Sequence, residues 1–140
     1  MATKMGYEGI LYIGTAGSTA SSQVLNCVDL DYDVQPGRGD TTVRGDGTSP
    51  PIETSRVTSL KSTITWKMLN KTTDTFLTAM VAAARTGAAV AIRTKSYSSG
   101  LGYDGDCTLS VKNGAPLKGE QTFEFTAEAT DELRAVLLNV

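Results

Sequence analysis

The chain reads as a mainly β protein, an antiparallel β-sandwich or curled barrel with one central α-helix. Three observations lead there. Several runs alternate apolar and polar residues with a period of two. One segment in the middle follows helical spacing instead. The length, 140 residues, fits a single domain over residues 1–140, which buries about two thirds of its unfolded surface and needs no staples.

The first run, Gly6 to Ile13, is apolar on both faces, with Leu11 and Ile13 on one and Ile10 and Tyr12 on the other. A strand of that kind wants cover on both sides, and a neighbouring subunit is one source of it. In the next, Val28, Leu30, Tyr32 and Val34 alternate with Asp29, Asp31 and Asp33. From Leu60, Ile64, Trp66 and Met68 share one face, while Lys61, Thr63, Thr65 and Lys67 share the other.

The helix follows. Phe76, Leu77, Met80, Val81 and Ala84 form its apolar stripe, for packing on the sheet. Thr72 or Thr73 suits the cap, Asp74 the first turn and Gly87 the stop. Val90, Ile92 and Thr94 then alternate with Ala91, Arg93 and Lys95. Cys107, Leu109 and Val111 alternate with Thr108, Ser110 and Lys112. The last alternation sets Phe123, Phe125, Ala127 and Ala129 against Thr122, Glu124, Thr126 and Glu128. The expected order is three strands, a helix and three strands, each strand with one wet face.

Two segments read as loops. Residues 16–22 are small and polar. Residues 35–55 are rich in Gly, Pro, Asp, Arg and Thr, and a loop that long is usually functional or disordered. It carries two Arg-Gly-Asp tripeptides, Arg38-Gly39-Asp40 and Arg44-Gly45-Asp46. Such tripeptides can dock on adhesion receptors. The plainer reading is a polar loop that pairs charges within itself or with a neighbour.

Composition excludes several functions. Net charge is -2, which argues against a non-specific grip on nucleic acid. Histidine is absent, so the commonest general base and metal ligand are missing. Two cysteines, Cys27 and Cys107, make no disulfide framework and read as small core residues. Residues 1–6 lack an apolar signal core and no run is long enough to span a bilayer, so a reducing cytoplasm and no membrane are expected. There is no triad, no Cys-x-x-Cys and no phosphate-binding glycine loop, so the chain reads as no enzyme, with no cofactor. Asp29, Asp31 and Asp33, about 7 Å apart on a strand, and the pair Asp104 and Asp106 lack the wrapping loop calcium needs. A solvated acidic face and no metal are the simpler account.

An ordered series of segments resembles the bacteriophage tail tube proteins, or major tail proteins, of long-tailed phages. It runs from Gly6-Tyr7-Glu8-Gly9-Ile10-Leu11-Tyr12 to Val28-Asp29-Leu30-Asp31-Tyr32-Asp33-Val34. Asp40-Thr41-Thr42-Val43-Arg44-Gly45 is similar to the family's entry to its long loop. Ser59-Leu60-Lys61-Ser62-Thr63-Ile64-Thr65-Trp66 is similar to its Thr/Ser-rich strand. Asn113-Gly114-Ala115-Pro116-Leu117-Lys118-Gly119, leading into Thr122-Phe123-Glu124-Phe125-Thr126-Ala127, is similar to its closing strand. The match spans about residues 6–130. The doubled Arg-Gly-Asp and Pro50-Pro51 have no counterpart in it.

The resemblance implies a tail-tube-like fold and a homo-oligomer of hexameric rings stacked into a hollow tube, which conducts double-stranded DNA into the host without sequence specificity. Loop 35–55 would bridge rings and residues 131–140 would form a C-terminal arm. The partners it implies are the tape measure and tail terminator proteins. The place is the virion tail, assembled in the host cytoplasm. In a closed-barrel reading one sheet face lines the channel, and the expected lumen residues are Thr63, Thr65, Lys67, Glu124, Thr126 and Glu128. The expected subunit and ring contacts are Ile10, Tyr12, Arg38, Asp40, Arg44 and Asp46. Two other functions fit the same residues: the tube of a contractile or type VI secretion-like system, and a monomeric ligand-binding β-barrel with a mostly apolar pocket.

Overall fold

The computed structural model describes residues 3–98, 100 and 102–130. Four strands precede the helix where three were expected: β1 (Ile10–Thr15), β2 (Ser22–Gln23), β3 (Cys27–Asp40) and β4 (Ser55–Leu69), followed by α1 (Thr75–Thr86); β2 is a two-residue strand at the end of the segment read as a loop. After the helix come β5 (Val90–Lys95), β6 (Gly102–Gly114) and β7 (Thr122–Ala129). All seven strands join one antiparallel sheet in the order β2-β1-β5-β6-β7-β4-β3. There is no second sheet among the described residues, so of the two architectures expected it is the curled one that forms. The curl brings Tyr32 of β3 against Tyr103 of β6, ring centroids 5.6 Å apart, across two intervening strands.

The core lies on the face that holds the helix. Directly opposed residues of an antiparallel ladder point the same way. Leu109 therefore shares a face with Ala127 and Ile64, and Val111 with Phe125 and Trp66. Trp66 and Phe125 stack at 5.4 Å and are essentially inaccessible. Leu77, Met80 and Ala83 of α1 close over this layer. The helix is capped by Asp74 and not by either threonine before it: its carboxylate accepts the N–H groups of Phe76 and Leu77. Gly87 ends the helix at φ 74°, a left-handed conformation costly for residues with a Cβ.

Several boundaries differ from those expected, and β4 and β6 begin earlier, at Ser55 and Gly102. Residues 6–8 form a 3-10 turn held by Met5 N–H donating to Glu8 Oε2 at 2.7 Å, and the first strand begins only at Ile10. The segment 35–40 is strand, because Gln35 through Asp40 pair with the start of β4. The unpaired loop is thus residues 41–54, closed at its neck by Thr41 and Thr54. Cys107 is a core residue as expected, but Cys27 is only half-buried. The expected C-terminal arm, 131–140, lies outside the described residues.

Candidate functional site

The side of the sheet away from the helix is polar over four neighbouring strands. Register sets the residues in rows. Thr108, Glu128, Thr63 and Asp33 stand side by side across β6, β7, β4 and β3. Ser110, Thr126, Thr65 and Asp31 form the next row. Lys112, Glu124 and Lys67 form a third. Thr63, Thr65, Lys67, Glu124, Thr126 and Glu128 therefore share one face of one strand pair. The three charged groups among them are exposed and the threonines half-exposed. Lys61, one pleat further along β4, reaches Glu128 at 3.9 Å.

Towards β1 the same face is covered by its own chain. Gly14 lets Ala20 approach so closely that a Cβ there would sit 2.9 Å from the Ala20 Cα. This allows residues 16–21 to fold back over the sheet. Gly17 N–H donates to both carboxylate oxygens of Asp106, and the Thr19 hydroxyl donates to Asp104. Asp104 is 1% exposed, so the solvated face expected for this pair is corrected: burial holds Asp104 in a structural contact.

The expected contact residues fall into two separate regions. Ile10 and Tyr12 lie on β1, half-buried. The Arg93 guanidinium sits 4.2 Å from the Tyr12 ring centroid and Lys95 Nζ 5.9 Å from it. Part of the cover expected from a neighbour thus comes from β5. Sequence reading treated Arg93 and Lys95 only as the polar side of an alternation; register opposite Tyr12 and Ile10 is what gives them a site.

Arg38 and Asp40 lie at the end of β3, with Arg44 and Asp46 in the loop beyond it. Their charges do not pair with one another, since the two ion pairs among the described residues involve other groups. Each aspartate instead accepts hydrogen bonds two residues ahead. Asp40 takes the Thr42 N–H at 2.8 Å; Asp46 takes the Thr48 hydroxyl at 2.6 Å and its N–H at 2.9 Å. Those bonds hold both carboxyls below the usual range. Among the described residues the β3–β4 ribbon continues beyond β7 with only two strands, because β7 pairs β4 no further out than Thr63. It leaves Val34, Val57 and Leu60 exposed. A two-stranded ribbon with apolar side chains in water is marginal by itself.

Among the described residues no group of three or more His, Cys, Asp or Glu is placed to hold a metal ion. No described helix is long and apolar enough to cross a membrane.

No protein-family model and no curated protein matches the chain. Solved structures do resemble it. The helically refined tail of an empty gene transfer agent particle, with C6 symmetry, superposes at a TM-score of 0.76 and 14% identity, over 94% of this chain and 97% of that one. The virion of a native gene transfer agent particle gives 0.72 and 11%, with the same coverage. The SPP1 tail tube gives 0.64 and 12%, over 98% of this chain and 79% of that one. The chain has the fold of these tail subunits, end to end across the described sheet and helix.

Proposed function

We propose that this chain is a bacteriophage-type tail tube protein, a structural subunit of a virion tail that is assembled in the host cytoplasm and catalyses nothing. The likeness to the C6-symmetric tail over 94% of the chain carries the reading. In this reading six subunits close a ring through their sheet edges, and rings stack into a hollow conduit for double-stranded DNA. A ring buries the strand edges that an open sheet leaves sticky. A head-to-tail contact of the right rotation closes it.

The helix occupies one side of the sheet, so the other side is the one available to a channel. Thr63, Thr65, Lys67, Glu124, Thr126 and Glu128 then line it, beside Asp31 and Asp33. Phosphates are held by Lys and Arg, so a wall whose lysines are flanked by carboxylates releases DNA. The ribbon with loop 41–54 reaches the next ring, which covers Val34, Val57 and Leu60. Tape measure and tail terminator proteins meet the tube inside and at its end. Negative-stain microscopy of the concentrated protein tests this. Hollow tubes with a regular axial repeat are expected; a monomer at every concentration and salt would refute the reading.

A further inference from the structure

The flank of α1 that faces β7 is an apolar groove of about 470 Å³. Its walls are Leu77, Val81 and Ala82 of the helix and Phe123 of β7. Thr78 and Thr86 complete the helix side, and both use their hydroxyls within it. Thr78 Oγ1 donates to the Asp74 carbonyl at 3.2 Å, and Thr86 Oγ1 to the Ala82 carbonyl at 3.0 Å. Their methyl groups are what remains for an occupant. A cation stands at each end, Lys71 before the helix and Arg85 in its last turn. Neither of the two ion pairs among the described residues engages them.

The chain leaves the sheet close to the Arg85 end. Val90, which α1 leads into through residues 87–89, is opposite Cys107, and Cys107 is opposite Ala129, the last residue of β7. Thr130 is fastened there, its N–H and its hydroxyl both donating to the Asp106 carbonyl. The sequence that follows matches the groove. Asp131 and Glu132 come first, and Leu133, Val136, Leu137 and Val140 then recur at helical spacing as one apolar stripe. Arg134, Ala135, Leu138 and Asn139 fall on the opposite side. Ten residues of helix run about 15 Å, close to the length of α1 itself, about 18 Å.

We propose that residues 131–140 dock as an amphipathic helix in this groove, antiparallel to α1 and within the same chain. Asp131 and Glu132 meet Arg85, and the stripe covers Leu77, Val81 and Phe123. A segment tethered at Thr130 sees its own groove at high effective concentration, which favours that groove over one on a second copy. The inference concerns the unassembled chain and stands apart from the tube reading. In a tube with α1 outside, the docked segment seals an apolar strip that every subunit would otherwise present on the exterior, where such strips make surfaces adhere.

The test uses the full chain, dilute and unassembled. Ala82→Cys with Val136→Cys should close an intramolecular disulfide under mild oxidation, mapped by digestion and mass spectrometry. It should form about tenfold faster than in the control pair Lys112→Cys with Val136→Cys, since Lys112 lies on the other face of the sheet. Leu133→Asp with Leu137→Asp should lower Tm by about 5 °C or more and increase binding of a dye for apolar surface, with the circular dichroism of the sheet retained. Equal rates in the two cysteine pairs, bridges that join only separate chains, or a Tm and dye signal unchanged in the aspartate variant would each overturn the inference, whether or not the protein forms tubes.

Discussion

Lys61 Nζ lies 3.9 Å from Glu128 Oε1, a diagonal contact between β4 and β7 on the polar face of the sheet. Both side chains are more than half exposed, 66% and 58%. A pair so wet is worth less than about 1 kcal/mol. Its consequence is for charge, since it offsets a lysine beside the threonine rows. Lys67 has Glu124 directly opposite. Lys61→Ala should therefore shift stability by no more than about 0.5 kcal/mol in chemical denaturation.

The channel assignment is tested by reversing the acids. Glu124→Lys with Glu128→Lys should still assemble, because both positions are exposed strand sites. Particles built from it should eject DNA slowly and with a steeper salt dependence. Wild-type infection at low salt, or failure to assemble, would mean that another face lines the channel.

Ile10 sits half-buried at the start of β1 beside Lys95. Ile10→Asp should leave the monomer folded by circular dichroism and abolish tube formation. Tubes of normal length would remove this strand from the interface.

Loop 41–54 contributes no buried residue. Deleting about ten residues between the Thr41 and Thr54 neck should cost little stability, since loop closure depends weakly on length. The shortened chain should fold, melt close to the wild type and fail to extend tubes. Normal tubes would end the role given to this segment.

Much of the fold was legible in the sequence, and the failures have causes. Phe123, Phe125 and Ala127 alternate cleanly, so β7 and its polar face followed at once. Alternation gives faces and not neighbours, so it left sandwich and curled sheet undecided. Segment 35–40 reads as loop because Pro36, Gly37 and Gly39 weaken strands. It forms one because β3 is an edge, where a proline's missing N–H costs no ladder bond. The cap was misplaced because Thr72, Thr73 and Asp74 are all capping residues; only the chain's path shows which one reaches Phe76 and Leu77. The contact of Arg93 and Lys95 with the Tyr12 ring was invisible, since nothing local joins residue 12 to residues 93 and 95.

Cys27 offers a pH test. Burial, helped by Asp29, pushes its thiol up to about 11, so the folded state holds the proton that the unfolded chain gives up near 9. Stability from this group is complete below about pH 9 and declines as pH rises towards 11. Thiol reagents at pH 8 should modify the native protein slowly and the unfolded protein fast. Rapid native labelling would contradict the burial.

Phe125→Ala removes the ring stacked on Trp66 and should cost about 3–5 kcal/mol, seen as an early transition in the fluorescence of that one tryptophan.

The most direct measurement is a helical cryo-EM reconstruction of tubes grown from the purified chain. Rings of six subunits are expected, with Glu124 and Glu128 facing the lumen, α1 on the outside and loop 41–54 ordered between rings. Tubes with α1 turned to the lumen, or protein that stays monomeric under every condition, would contradict it.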